Sequence, residues 1–375
     1  MTMLDMAIRE AGACAYVAYG SSADANTRYL TRLQITDPVV FIKKPGERGR
    51  LIVPQMEYER AVRESAAAVV TRSAAGFFEY ITAGESRLRA TAHMIAAQAG
   101  GAVLVPEQFP LGLAREIESF APVLLDAGTV ESMRAVKSAD EIEAIRSVQR
   151  ATEAAMDHAL TLIRNARSKG GILYHGDAPL TSEAVRAGMH RLLLDHGCRG
   201  TDTIVACGAD TALPHHVGSG PLAAGEPIII DIFPQDEQTG YHADMTRTVV
   251  KGEPSPEIRE MYEAVRDAQQ MASQRIMPGV SGADLYQEVV DFFRERGYAT
   301  DTQGFVHSLG HGVGLDVHEQ PFLGLTGEAL AAGNVVTVEP GLYYTGIGGV
   351  RLEDMGAVSP GGFDRFTRYP MELQL

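Results

Sequence analysis

Hydrophobic and polar positions change rhythm along the chain, and the change divides it in two. Up to about residue 130, short apolar and β-branched runs recur: AYVAY from Ala15, PVVFI from Pro38, RLIVP from Arg50, AVVT from Ala68, AVLVP from Ala102 and PVLL from Pro122. Helix-like stretches at 87–98 and 113–119 lie between them, and this alternation predicts an α/β domain with a mixed sheet. The period then lengthens. Ser138-Ala139-Asp140-Glu141 has the form of a capping box, in which serine and glutamate satisfy each other's orphan amides. Ile142, Ile145, Val148, Met156, Leu160 and Ile163 recur behind it at helical spacing.

A second helix is expected from about Ser182 to His196, stopped by Gly197, followed by strands in TDTIVACG and EPIIIDIF. The order then repeats. Ser255-Pro256, a cap followed by proline at the first helical position, opens a helix to about Ile276, and Ser281 caps another that reaches Arg296. Strands are expected at 305–309, 334–338 and 349–358. Two successive helix–helix–strands units predict a pseudo-symmetric domain whose helices cover one side of a curved antiparallel sheet. Domains at 1–130 and 131–375 follow, an α+β chain whose 375 residues exceed one ordinary core.

Composition narrows the partners. A net charge of −15 disfavours nucleic acid and anionic membrane. Cys14, Cys198 and Cys207 are an odd number at scattered positions, which predicts neither a disulfide framework nor a cysteine zinc site. No basic segment followed by an apolar one opens the chain, and no apolar run approaches membrane-spanning length, so a cytoplasmic protein is expected.

The candidate chemistry lies in the second domain. HSLGHGVGLDVHE, residues 307–319, holds three of the eleven histidines. His307 and His311 have the spacing of a helical zinc grip. Gly310, Gly312 and Gly314 oppose it, since each would cost a helix about 1 kcal/mol relative to alanine. Acids meanwhile occupy apolar strands: Asp231 in PIIIDIF, Asp244 in YHADMTRT, Glu339 in TVEP and Glu353 in VRLED. A carboxylate buried there must be paired, protonated or bound to metal. The plain alternative for any one of them is a strand-end ion pair, Arg247 with Asp244 or Arg351 with Glu353. Together, four acids and an imidazole make an oxygen-rich set that two divalent cations could share. Such donors suit Mn(II), Co(II) or Fe(II), with Zn(II) as an alternative.

In order and local context, IIIDIF, HADMTRT, LGHGVGLDVHE, TVEPGLY and VRLED resemble the signature of the pita-bread metallopeptidases, from about residue 138 to the end. That family includes the methionine aminopeptidases, the Xaa-Pro aminopeptidases and the Xaa-Pro dipeptidases, or prolidases. The resemblance implies two metal ions per subunit, Mn(II) or Co(II) first. Asp231 would chelate one, Asp244 and Glu353 would bridge both, and His311 with Glu339 would complete the second. It also gives His318 a place near the scissile bond and Arg351 a role bracing the ligands. His307 matches a histidine of the proline-specific branch. LPHHV resembles a segment over the site, with His215 the better match and His216 its neighbour. Asp231 and Asp244 stand thirteen apart where the family more often has eleven; the even difference preserves side-chain parity, so both should still face the metals.

The chemistry implied is hydrolysis of a peptide bond near a free amino terminus, with Glu339 accepting the proton of the attacking water and His318 helping to stabilise the oxyanion. The N-terminal domain resembles the creatinase/prolidase type, and with His307 it favours peptides with proline at the second position and a homodimer. Other readings are a metal-dependent relative with non-peptide chemistry, such as an ectoine-derivative hydrolase or dimethylsulfoniopropionate lyase, and an inactive peptide-binding member. Creatinase, which lacks the ligands, is disfavoured.

Overall fold

In the computed structural model, which describes residues 2–375, the chain divides into two compact units, Met1–Arg134 and Ala135–Leu375. The first contains six strands, β1 (Ala15–Gly20), β2 (Val39–Lys43), β3 (Arg50–Val53), β4 (Ala68–Thr71), β5 (Val103–Val105) and β6 (Val123–Leu125). Their order is β4-β3-β2-β1-β5-β6. Pairs β1/β2 and β2/β3 are antiparallel, and β3/β4, β1/β5 and β5/β6 are parallel, so the sheet is mixed as the sequence pattern predicts. Because side chains alternate along a strand, Val17, Val40, Ile42, Ile52 and Val103 enter one core with Ile95 of the helix Arg87–Ala99. Tyr16, Phe41, Leu51 and Leu104 enter another with Leu4 and Ile8 of the helix Met3–Glu10. A sheet covered on both faces explains why its strands read as continuous apolar runs.

The second unit opens on the helix Ala139–Asn165, whose capping box between Ser138 and Glu141 is formed and whose Ile145, Val148, Met156, Leu160 and Ile163 are buried. A three-stranded sheet, β7 (Arg167–Lys169), β8 (Ile172–His175) and β9 (Ala178–Pro179), precedes the helix Ser182–Asp195. Next come β10 (Cys198–Arg199), β11 (Ile204–Cys207), β12 (Pro227–Ile232), β13 (Gln235–Asp236) and β14 (Met245–Val250), of which β11-β12-β14 form an antiparallel sheet. The helices Pro256–Arg275 and Gly282–Glu295, capped by Ser255 and Ser281, begin the second pass. It continues with β15 (Gly310–Gly312), β16 (Glu319–Leu323), β17 (Val335–Val338), β18 (Gly341–Tyr344), β19 (Gly348–Arg351), β20 (Asp354–Ser359) and β21 (Gly362–Arg365). An antiparallel sheet of order β16-β15-β17-β20-β21 results, with β18/β19 as a separate hairpin.

The helix–helix–strands order thus occurs twice, with the small β7-β8-β9 sheet inserted between the two helices of the first pass. Val336 and Val338 face the helices and pack with Val265, Val289 and Phe293, which turns Thr337 and, just beyond, Glu339 to the other side. Both sheets meet around the candidate acids, where the Glu353 N–H donates to the Thr246 carbonyl at 3.1 Å and the Arg351 N–H to Thr248 Oγ1 at 3.0 Å.

Two expected strands differ. The segment 305–309 is not a strand: Phe305 and Leu309 are buried, and backbone hydrogen bonds hold the segment at its ends, Phe305 N–H to Ala299 O and Leu309 N–H to Leu323 O. The run 349–358 is two strands, broken at Leu352-Glu353, because β19 pairs with β18 while β20 pairs with β17 and β21. The small sheet β7-β8-β9 carries too few apolar residues to be read from periodicity.

Candidate active site

Three strand ends and two strand interiors supply the five candidate ligands. Asp231 lies in β12 opposite Thr246 of β14, on the same face as that threonine. Asp244 immediately precedes β14, Glu339 follows β17 and Glu353 precedes β20, and the Val338↔Asp354 pairing brings the two glutamates side by side. His311 sits in β15, its N–H bonded to Thr337 Oγ1 at 3.1 Å. Nδ1 donates to the Gly312 carbonyl at 3.1 Å, so Nε2 faces Glu339 Oε1 at 3.1 Å and Asp244 Oδ2 at 3.8 Å. One donor atom each from Asp244, His311 and Glu353 lies within 4.8 Å of the others.

Asp231 Oδ1, Asp244 Oδ1 and Glu353 Oε1 are buried without a hydrogen-bond partner. Three such carboxylate oxygens in one cluster carry an unmet electrostatic demand. Oxygen donors beside an imidazole nitrogen are what a divalent cation of the Mn(II) or Co(II) kind takes, so the residues fit the metals that the sequence implied.

The charge balance agrees. Burial, then the charge of Asp231, holds the Asp244 carboxyl well above the usual range, and burial with Asp244 does the same to Glu353. Burial would lower His311, but its bond to Glu339 and the neighbouring carboxylates outweigh this and push it up to about 9. Glu339, which burial would raise, is held at about 2 by its bond to His311 and by the charge of Arg351. Carboxylates that repel one another are relieved by a cation among them.

Arg351, 3% exposed, organises the side of the cluster near Asp231. Its Nη2 donates to Asp231 Oδ2 at 2.6 Å, Nη1 to Tyr343 Oη at 2.8 Å and to the Pro214 carbonyl at 3.2 Å, and Nε to Thr246 Oγ1 at 3.3 Å. Tyr343 Oη lies 3.0 Å from His307 Nε2, and His307 Nδ1 donates to the Ser308 carbonyl at 2.7 Å. Burial lowers the His307 pKa, so the imidazole is neutral and Nε2 accepts the tyrosine proton. The chain leaves its ladder between Phe305 and Leu309, and this departure lets His307 reach Tyr343.

His318 meets the His311 ring edge-on, with centroids 4.2 Å apart. His215 is exposed, and near enough to bear electrostatically on His307 and His318. His216 is tied into its own turn, Nδ1 accepting from Gly218 N–H at 3.1 Å. The glycines on either side of His311 belong to a close approach: a β-carbon on Gly310 would strike the Thr337 carbonyl, and one on Gly312 the Gln320 carbonyl. In the longer connection between Asp231 and Asp244, β13 pairs with β10, and Asp236 Oδ1 accepts from Gln238 N–H, Thr239 N–H and Thr239 Oγ1. An Asx turn therefore closes this connection.

The pairings considered as the plain alternative, Arg247 with Asp244 and Arg351 with Glu353, are not the ones formed. Arg247 points to the opposite face of β14 and binds Asp354 at 2.8 Å, whereas Arg351 takes Asp231. Sequence reasoning missed Tyr343, Thr246 and Thr337. Thr246 Oγ1 donates to Glu353 Oε2 at 2.7 Å and Thr337 Oγ1 to Glu339 Oε1 at 3.2 Å. For the two threonines the signal was a hydroxyl residue two positions from a candidate ligand, which places both side chains on one face.

Buried carboxylates converging with an imidazole on antiparallel strands belong to the chemistry of divalent-metal hydrolases. Residues 143–360 match the model of metallopeptidase family M24, and the chain belongs to that family, as its motifs suggested. It is 31% identical over 341 residues to a Xaa-Pro dipeptidase of Pyrococcus horikoshii, covering 89% of this chain and 88% of that protein. Among solved structures it resembles a Xaa-Pro dipeptidase from Bacillus anthracis with a TM-score of 0.85 and 27% identity, covering 100% of this chain and 98% of that one. It also resembles an X-Pro aminopeptidase from Thermotoga maritima with a TM-score of 0.80 and 27% identity, covering 99% and 100%. These likenesses extend over both units, so the fold is the mixed α+β arrangement of an N-terminal domain followed by a pita-bread domain.

Proposed function

We propose that this metallopeptidase hydrolyses the Xaa-Pro bond at the amino terminus of short peptides, with two divalent metal ions held by Asp231, Asp244, His311, Glu339 and Glu353. The observation that carries the reading is the trio of buried, unpartnered oxygens on Asp231, Asp244 and Glu353. The Xaa-Pro dipeptidases and X-Pro aminopeptidase to which the chain is similar support proline at the second position of the substrate. Bound there, Mn(II) or Co(II) would lower the pKa of water and polarise the scissile carbonyl.

The remaining work falls to the protein. Glu339, beside the reacting water, accepts its proton and passes it towards the leaving amine. Arg351 holds Asp231 in a single pose, with its guanidinium spread over Tyr343, Thr246 and the Pro214 carbonyl. His307, fixed as one neutral tautomer by Tyr343 and Ser308, flanks the substrate on one side. His318 and the exposed His215 flank it elsewhere, His318 donating to the oxygen on which charge develops. We further propose a cytoplasmic homodimer. Among the described residues no helix is long and apolar enough to cross a membrane.

The test is hydrolysis of Xaa-Pro dipeptides and Xaa-Pro-Xaa tripeptides after chelation and reconstitution with Mn(II), Co(II), Fe(II) or Zn(II). Activity restored by metal, and absent on matched peptides lacking proline, is expected. Cleavage of dipeptides alone identifies a dipeptidase. No peptide cleavage under any metal refutes the reading and leaves a non-peptide substrate or a binding role.

A further inference from the structure

A buried ion pair lies beside the site without joining the candidate ligands. Lys137 Nζ is 2.7 Å from Glu319 Oε1, with the two side chains 1% and 7% exposed. Desolvating both charges is costly, and a pair this deep is not explained by stability alone. Its location points to geometry instead.

Lys137 immediately precedes the Ser138 cap of the helix Ala139–Asn165, and its N–H donates to the Gly333 carbonyl at 2.9 Å. Asn334 Nδ2 donates to the Ala135 carbonyl at 2.8 Å, so the lysine is anchored to the segment that leads into β17. Glu319 follows His318 directly and starts β16. Its Oε2 accepts the Asp316 N–H at 3.3 Å, and its carboxylate fills the space that a β-carbon on Gly314 would need. The Gly314 carbonyl in turn accepts the His242 N–H at 2.8 Å. The residues between His311 and His318 thus turn about one carboxylate, and Lys137 is its cationic anchor.

We propose that Lys137 is a positioning residue which, through Glu319, sets the pose of His318 against the His311 ring. The proposal rests on the reading of His318 as a substrate-facing group. Lys137 and Glu319 are not themselves among the candidate ligands; their effect passes through the 313–318 loop.

The experiment is a double-mutant cycle on the full-length, metal-loaded protein, with Lys137→Met made alone and in a His318→Ala background. Kinetics on a Xaa-Pro dipeptide, bound-metal content and melting temperature are measured for each. In the single variant kcat is expected to fall about 10–100-fold, the scale of a small misplacement of a catalytic group, with metal content unchanged. In the His318→Ala background the further loss is expected to stay within about 2-fold, because the two changes act on one group. An equal fold-loss in both backgrounds, or no loss in the single variant, overturns the proposal. If Lys137→Met does not fold, Glu319→Gln keeps an acceptor for the Asp316 N–H and takes its place in the cycle, with the same result expected and the same results overturning the proposal. A wild-type chain inactive on every Xaa-Pro peptide sinks the functional reading separately. The pose is then read from the ring resonances of labelled His318, which must shift in Lys137→Met; an unchanged signal refutes the anchor.

Discussion

Arg351 binds Asp231, 120 positions away in sequence, at 2.6 Å, while Glu353 stands two residues further along its own chain. Residues i and i+2 of an extended chain share a face, yet the strand breaks at Leu352-Glu353, so the guanidinium spans to the neighbouring sheet instead. Arg351→Met would strand Asp231 Oδ2 and Tyr343 in a buried site. A loss of about 3–5 kcal/mol is expected, as for other broken buried pairs, together with loss of turnover. Arg351→Lys should rescue little, since one ammonium cannot span the acceptors of the planar fork. Denaturant melts and metal titration of both variants check this; a lysine variant with wild-type metal affinity contradicts it.

Tyr343→Phe removes one hydroxyl that accepts from Arg351 and donates to His307. Leaving those buried partners unsatisfied is expected to cost about 1–3 kcal/mol of stability. Activity should fall about 10-fold or more, the usual penalty for removing a group that orients a metal site. Steady-state kinetics alongside thermal melting decide the matter, and full activity would show that His307 needs no such support.

Asp244→Ala removes the acid that joins His311 and Glu353 within the cluster. Metal binding and turnover should both be abolished, measured by bound-metal analysis and Xaa-Pro hydrolysis. The chain should remain folded, and the chelated variant should melt no lower than chelated wild type, because one of several mutually repelling carboxylates is gone. An active Asp244→Ala enzyme would falsify the two-metal assignment.

For chelated protein the pH dependence has a definite sign. Asp244 and Glu353 are raised well above their ordinary 3.8 and 4.5, and His311 is raised from 6.5 to about 9. A group whose folded pKa is raised contributes stability that is complete below its unfolded value and lost as pH climbs through the folded one. The His311 contribution is therefore lost between pH 6.5 and about 9, and the two acids lose theirs in the same direction as pH climbs above 3.8 and 4.5. Glu339, lowered from 4.5 to about 2, acts the opposite way, but its contribution is already complete above 4.5. Chelated protein should melt progressively lower from pH 6.5 to pH 9, and the gap to metal-loaded protein should widen. A gap that narrows over that interval would count against a cation site among these groups.

By itself the sequence determined what local forces decide. Ser138, Ser255 and Ser281 cap helices where their side chains meet orphan amides, and the apolar periods place the helices and most strands. Asp231, Asp244, Glu339 and Glu353 were legible as acids out of place among valine and isoleucine, and the glycines around His311 as a bar to a helix there. Tertiary structure alone decided which arginine meets which acid, where 349–358 breaks, why 305–309 leaves its ladder, and that Tyr343 joins Arg351 to His307. The division has one physical cause. Caps and periodicity depend on neighbours within a few positions, whereas an ion pair or a strand's partner depends on which face of a distant segment arrives opposite, and no local pattern encodes that choice.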